Sequence, residues 1–387
     1  MKITLPQADG RLAAYTLRGP GDFRPAAPGT PLTRIAYSAA HVVADPRAAI
    51  DPWLQCAVDW DATIAYRQRL WSMGLGVAEA MDTAQRGMGL DWPTSLELIG
   101  RSIDAAKDMP GAFLASGCGT DHLAVEDAKS VDDVIRAYEE QMAAIEKLGG
   151  KLIVMASRAL ARVAKSPADY ERVYDRVLRQ AKESVVLHWL GDMFDPALKG
   201  YWGSTDTAKA MDTALAVIAA HPAKVDGIKI SLLDKDEEIK MRAALPAGVR
   251  MYTGDDFNYA ELIAGDGRKH SDALLGIFDA IAPAASAALA ALAAGDRARF
   301  DAILEPTVPL SRHIFQAPTR FYKTGVVFMA WLNGHQSHFT MVGGQQSTRS
   351  LLHFAELFRL ADAAGLIEQP ELAVPRMQAL LALHGVH

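Results

Sequence analysis

The stretch Val225–Ser231, "VDGIKIS", continuing as "LLD" to Asp234, reads as a buried strand with a lysine at its centre. Side chains alternate across a strand, so Gly227, Lys229 and Ser231 share one face and Ile228 and Ile230 the other. Lysine is almost never fully buried unless something pairs with it or uses it. With the isoleucines against a helical layer, Lys229 points into the interior of whatever the strand helps to enclose.

Working outward, the same kind of short apolar run recurs along the chain. The runs are 33–40 (TRIAYSAA), 73–81 (MGLGVAEAM), 111–119 (GAFLASGCG), 151–157 (KLIVMAS), 184–191 (SVVLHWLG), 225–231, 249–256 (VRMYTGDD) and 271–278 (SDALLGIF). Segments of helical period lie between them, among them 93–109, 131–150, 167–183 and 206–221, while the first connection, 51–72, is polar and rich in tryptophan. Strands alternating with helices imply parallel pairing through crossovers. Their nearly continuous apolar character implies burial on both faces. Eight such units predict a (β/α)8 TIM barrel over residues 33–283. Residues 1–32, rich in Pro and Gly, read as an extended N-terminal arm. Residues 284–387 show only helical patterns and read as a C-terminal helical extension.

The 387 residues carry a net charge of -6 with no Lys/Arg block, which argues against a nucleic-acid partner. The two cysteines, Cys56 and Cys118, share no metal-like spacing, which fits a reducing compartment. The start "MKITLPQADG" has no apolar signal region, and the Ala-rich stretch 282–294 is too short to span a bilayer. The expectation is a cytoplasmic protein acting on a small molecule, with neither nucleic acid nor membrane as partner.

Functional groups of such barrels sit at the C-terminal ends of the strands. Here those ends hold Tyr37, Ser38 and His41; Glu79 and Asp82; Ser116, Cys118 and Asp121; Ser157 and Arg158; His188, Trp189 and Asp192; Lys229 and Ser231; and Thr253, Asp255 and Asp256. This ring suits a polar, oxygenated ligand. A desolvated lysine loses proton affinity, and its neutral amine can attack a carbonyl to give a Schiff base. Spacing alone leaves a second reading open, in which Lys229 reaches a carboxylate such as Asp255 and only ties loops together.

The "DGIKIS" strand, followed by "YTGDD" at 252–256, resembles the lysine strand of the dihydrodipicolinate synthase and N-acetylneuraminate lyase superfamily, and the chain looks like a longer branch of it. The resemblance extends over roughly residues 33–360 and implies a barrel with a C-terminal helical bundle, Lys229 as the Schiff-base nucleophile, no cofactor and a homo-oligomer. Two places depart from the family pattern. The turn that usually binds a pyruvate carboxylate reads "GLGVAEAMDTAQRG", with the acid Glu79 where hydroxyls are usual. His188 occupies the place of the family's proton-relaying tyrosine. Histidine can exchange protons near neutral pH.

The expected catalytic residues are therefore Lys229 and His188, with Glu79, Ser38, Ser116, Ser157, Trp189, Asp255 and Asp256 as substrate contacts. The expected activity is that of a class I type aldolase or lyase, breaking a carbon–carbon or carbon–oxygen bond of a small oxo-acid or keto-sugar-like molecule. Two alternatives stand beside it. In one, Glu79, His188 and Asp255 or Asp256 hold a divalent metal for a lyase or isomerase. In the other, the barrel binds a small molecule without chemistry. His335 and His338 are a further close pair in the extension, three residues apart and without additional ligands.

Overall fold

The computed structural model describes residues 1–386. Two strands, β1 (Lys2–Pro6) and β2 (Leu12–Thr16), pair antiparallel as a hairpin. Eight more form a closed parallel barrel: β3 (Ala36–Ala39), β4 (Gly76–Glu79), β5 (Leu114–Cys118), β6 (Leu152–Val154), β7 (Val185–Leu190), β8 (Val225–Ser231), β9 (Arg250–Thr253) and β10 (Asp272–Leu275). Every one of the eight apolar runs supplies one strand, and β10 closes on β3 through the pairs Ala273–Ala36, Leu274–Tyr37 and Leu275–Ser38. The fold is a (β/α)8 TIM barrel with a helical C-terminal extension.

Local chemistry starts the crossover helices where the strands need them. Ser130 and Asp133 form a capping box on the helix Val131–Lys147, and Ser166 and Asp169 another on Pro167–Gln180, where Pro167 occupies the first turn. The polar first connection is a loop closed by the bridge Ala44–Val58, after which Asp59 caps the helix Trp60–Ser72 by accepting from the amide of Ala62 at 3.0 Å.

Alternation sorts the strand residues into two cores. Tyr37, Ala39, Ala78, Ala115, Ile153, Val186, Tyr252 and Leu274 fill the barrel interior, with Met81 above them. Val77, Cys118, Val154, Leu187, Trp189, Ile228, Ile230 and Met251 face the helices. Parallel register then fixes the direction of the polar residues, because paired residues project to the same side. His188 pairs with Lys229, and Lys229 with Tyr252, so all three point inward.

The first residues are not an extended arm. "KITLP" and "LAAYT" alternate at period two about the turn "QADG", which makes them a hairpin whose Ile3 and Leu5 are buried. The hairpin is fastened to the extension. Tyr15 Oη and the amide of Arg18 donate to the buried carboxylate of Asp362 at 2.7 and 2.9 Å, and Arg359 donates to the Pro6 carbonyl at 2.6 Å. Among the described residues no helix is long and apolar enough to cross a membrane.

Candidate active site

Lys229 emerges on the inner face near the C-terminal end of β8 with 4% of its surface exposed. The space it occupies depends on Gly254, just past β9, where a Cβ would lie 2.8 Å from Lys229 Cε and against Ser231 Oγ. Burial pulls the ammonium below its ordinary range, opposed by the carboxylates of Asp82 and Asp256. Lowered basicity makes the neutral amine, which is the nucleophilic form, easier to reach.

The two carboxyls facing this lysine are driven apart. Burial alone would raise Asp82, yet the charges of Lys229 and Lys323 hold it below the usual carboxylate range. Asp82 Oδ2 accepts from Tyr322 Oη at 2.7 Å, while the buried Oδ1 has no partner among the described residues. Asp256 has no such company. Burial pushes it up to about 8 against the Ile277 amide, which donates to it at 2.9 Å, and against Lys229. One carboxyl is thus an anion near neutral pH and the other a proton donor, the usual mark of a divided acid–base task. His188, held well below its ordinary range by burial and by the Lys229 charge, is a neutral imidazole; its Nε2 sits 3.2 Å from Ser231 Oγ.

Beside this cluster lies a cavity of about 180 Å3 over the ends of β4 to β7, lined by Asp82, Arg86, Thr120, Arg158, His188 and Asp195 among others. That is below the ~300–1,000 Å3 of sites for drug-sized ligands and suits a small molecule. Arg86 is already committed: its guanidinium donates to both oxygens of Asp121, at 2.8 and 3.1 Å, and its Cζ lies 5.0 Å from the centroid of the Trp92 ring.

The extension also reaches the site. Its helix Tyr322–Leu332 begins with Tyr322, whose hydroxyl lies 2.5 Å from Thr83 Oγ1 as well as on Asp82, and with Lys323, 5% exposed. Burial pulls Lys323 down to about 8, against Asp82 and with Arg158. Its folded pKa lies below the unfolded value of ~10.5, so the cost of keeping its proton is fully present below pH 8 and disappears as pH rises from 8 towards 10.5. Lys323→Met is therefore expected to raise the melting temperature at pH 7, by at most about 3 kcal/mol of stability, with the gain fading over that window. Thermal melts at pH 7 and 10 check this; a variant that melts lower at pH 7 contradicts it.

The structure gathers Lys229, His188 and Asp256 from among the expected residues and turns the rest away. Glu79, Ser38, Ser116 and Trp189 all lie on the outward face of their strands, because their register partners are the outward-facing ones. Glu79 is bound by Arg67 instead. The hydroxyls of Ser38 and Ser116 are buried without partners among the described residues, and Trp189 packs edge-on against Trp202 with centroids 6.3 Å apart. Ser157 caps a helix by accepting from the Leu160 amide at 3.0 Å and bonds Thr120 Oγ1 at 2.6 Å. Asp255 accepts from the amides of Phe257 and Asn258 at 2.8 and 3.0 Å and holds the turn after β9.

With Glu79 facing the helices, the metal set Glu79, His188 and Asp255 or Asp256 does not converge. Among the described residues no other group of three such ligands comes together. His41 is buried against Asp279 at 2.8 Å. His335 bonds Glu368 at 3.1 Å, and His338 Nδ1 accepts from the Thr340 amide at 3.0 Å, so they do not act as a pair. Tyr322 and Lys323 went unread in the sequence, although a lysine inside "YKTGVVFMAWL" is the same anomaly as the one in "VDGIKIS".

Solved structures of low sequence identity share the fold. YagE of E. coli K12, a prophage protein of the dihydrodipicolinic acid synthase family determined with pyruvate, superposes with a TM-score of 0.65 at 16% identity, covering 87% of this chain and all of that one. The chloride-inhibited dihydrodipicolinate synthase from Acinetobacter baumannii, complexed with pyruvate, gives 0.62 at 17% identity over 86% and 99% of the two chains. The Oceanobacillus iheyensis dihydrodipicolinate synthase gives 0.60 at 14% over 85% and 96%. No curated protein matches the sequence. A family model described as "Protein of unknown function (DUF993)" matches residues 3–386, and the chain belongs to that family.

Proposed function

We propose that the protein is a Schiff-base-forming lyase or aldolase acting on a small oxo-acid or keto-sugar-like substrate, with Lys229 as nucleophile. One observation carries the reading: a buried, inward lysine of reduced basicity stands between an ionised and a protonated carboxyl. The barrel fold shared with the two pyruvate-complexed proteins supports it.

The neutral amine of Lys229 adds to the substrate carbonyl, and Asp256 gives its proton to the departing oxygen. The nitrogen passes its surplus proton to that oxygen and forms a double bond to carbon as water leaves, and the resulting iminium lies against the Asp82 carboxylate. The iminium accepts the electron pair of the neighbouring carbon–carbon bond while neutral His188 removes the proton of the hydroxyl that becomes the new carbonyl. Protonation of the enamine and hydrolysis return the free lysine. A general acid works best with a pKa near the operating pH, and Asp256 at about 8 meets that condition.

Borohydride reduction in the presence of 2-oxo acids or keto-sugars, followed by intact and peptide mass analysis, is expected to show one reduced adduct, on Lys229. No adduct with any carbonyl compound, together with turnover that chelators abolish, would replace this reading with a metal-dependent one. Assembly as a homo-oligomer, which rests on the family resemblance, and a cytoplasmic location, which rests on the cysteine usage, belong to the same proposal.

A further inference from the structure

We infer that Lys323 and Arg158 form a subsite for an anionic group of the substrate, a carboxylate or a phosphate, held apart from the carbonyl that Lys229 attacks. This rests on the reading of Lys229 as the nucleophile and adds the charge of the substrate to it.

The argument starts from unspent donors. Lys323 is buried, and its ammonium contacts only weak partners, the Met88 sulfur at 3.2 Å and the Arg320 carbonyl at 3.4 Å. Arg158 gives only Nε to Asp195, while its two terminal amino groups donate to no protein acceptor among the described residues. It lines the cavity with 39% of its side chain exposed. The two cations approach along one loop. A Cβ on Gly87 would lie 3.2 Å from an Arg158 terminal nitrogen, so the glycine, at φ +70°, lets the guanidinium lie against the backbone, and the next residue is the Met88 that touches Lys323. The charges that bear on Lys323 are Asp82, Arg158 and Asp195, and Arg158 repels it.

Charge balance gives the subsite its ligand. Arg86 and Asp121 neutralise each other. In the free protein Asp82 faces Lys229 and Lys323 together, yet hydrogen-bonds neither of them. Once Lys229 becomes an iminium its positive charge is permanent and claims Asp82. Lys323 and Arg158 then carry two positive charges against the single carboxylate of Asp195, and one substrate anion relieves that excess.

Matched probes test the inference. Rates of borohydride trapping on Lys229 are compared for dihydroxyacetone against its phosphate, and for butanal against 4-oxobutanoate, in the wild type, Lys323→Met and Arg158→Gln. The anionic member of at least one pair is expected to be trapped about tenfold faster or more, and each variant to remove most of that advantage, read as the anionic-to-neutral ratio within each protein because Lys323 also bears on Asp82. The pair that shows the advantage tells phosphate from carboxylate. Equal rates within both pairs, or an advantage that survives both substitutions, overturns the subsite. If no carbonyl is trapped at all, the Lys229 reading fails by itself. The subsite is then judged by calorimetric binding of inorganic phosphate and succinate to the unmodified proteins. Binding that Lys323→Met and Arg158→Gln each weaken about tenfold supports it; absent or unaltered binding overturns it. Arg158 is partly exposed, so its variant keeps the test valid even if the core substitution at Lys323 disturbs folding.

Discussion

Lys229→Met is expected to abolish the reduced adduct and to lower turnover by about 10^3-fold or more, while the protein melts at or above the wild-type temperature. The two halves of this result have one cause. Burial holds the Lys229 amine below its ordinary basicity, so the folded state binds its proton less tightly than the unfolded chain does. The stability cost is present at neutral pH and is relieved only as pH rises through the lowered pKa towards the unfolded value. Methionine has similar length and no charge, which removes the cost together with the nucleophile. Asp82 keeps Lys323 as a counter-charge, so the substitution does not strand a buried carboxylate. Lys229→Arg separates the effects further, because guanidinium stays charged and cannot attack a carbonyl. Intact mass after borohydride and a thermal melt check both halves. An adduct of undiminished yield in Lys229→Met would transfer the chemistry to another amine, with the buried Lys323 first to be mapped.

The contrast between Lys229 and Glu79 says what a single sequence can reveal about this protein. Both stand near the C-terminal ends of barrel strands, and both are charged residues within apolar runs. The two-residue period assigns Lys229 inward because isoleucines flank it on both sides. The same period, applied to "GVAE", sends Glu79 outward with Val77, and applied to "AYSA" and "LASGC" it sends Ser38 and Ser116 outward too. Reading strand ends as an undivided ring lost that information. The eight strands were legible because their apolar runs are long and regularly spaced. Tyr322 and Lys323 were not, because the order of helices in the extension carries no hint of which one meets the barrel mouth. That contact is tertiary: Tyr322 reaches Asp82 across 240 positions of sequence. Asp82 itself lies beyond β4 in a turn where Ala80 takes φ +51°, so strand alternation ends before it and its direction could not be counted from Glu79.

That turn is the reason for the second large effect. Arg67→Met and Glu79→Gln are each expected to destabilise the protein by about 3–5 kcal/mol, because each leaves half of a fully buried ion pair without its partner. Arg67 donates to both Glu79 oxygens at 2.9 Å and also to the His41 and Thr63 carbonyls, which ties the helix Trp60–Ser72 to β3 and β4 at once. Glu79 in turn accepts from the Ser102 hydroxyl and from the Ala80 amide, the latter at 2.8 Å. The bond to Ala80 holds the left-handed residue from which the chain turns towards Asp82, so an acid that faces the helices fixes the one whose charge bears on Lys229. The double variant Arg67→Met/Glu79→Met should recover much of the stability, since an apolar pair of similar volume leaves no stranded charge. It should not recover trapping on Lys229, because the Ala80 amide stays without its acceptor and Asp82 is no longer held. Denaturant unfolding of the three variants gives the coupling energy, and trapping rates on the folded double variant read the site. Single substitutions costing under about 1 kcal/mol would mean that water enters and relieves the pair. A double variant trapping at the wild-type rate would mean that Asp82 is held by Tyr322 alone, and the extension, not the second strand of the barrel, would then be what orders the acid beside the lysine.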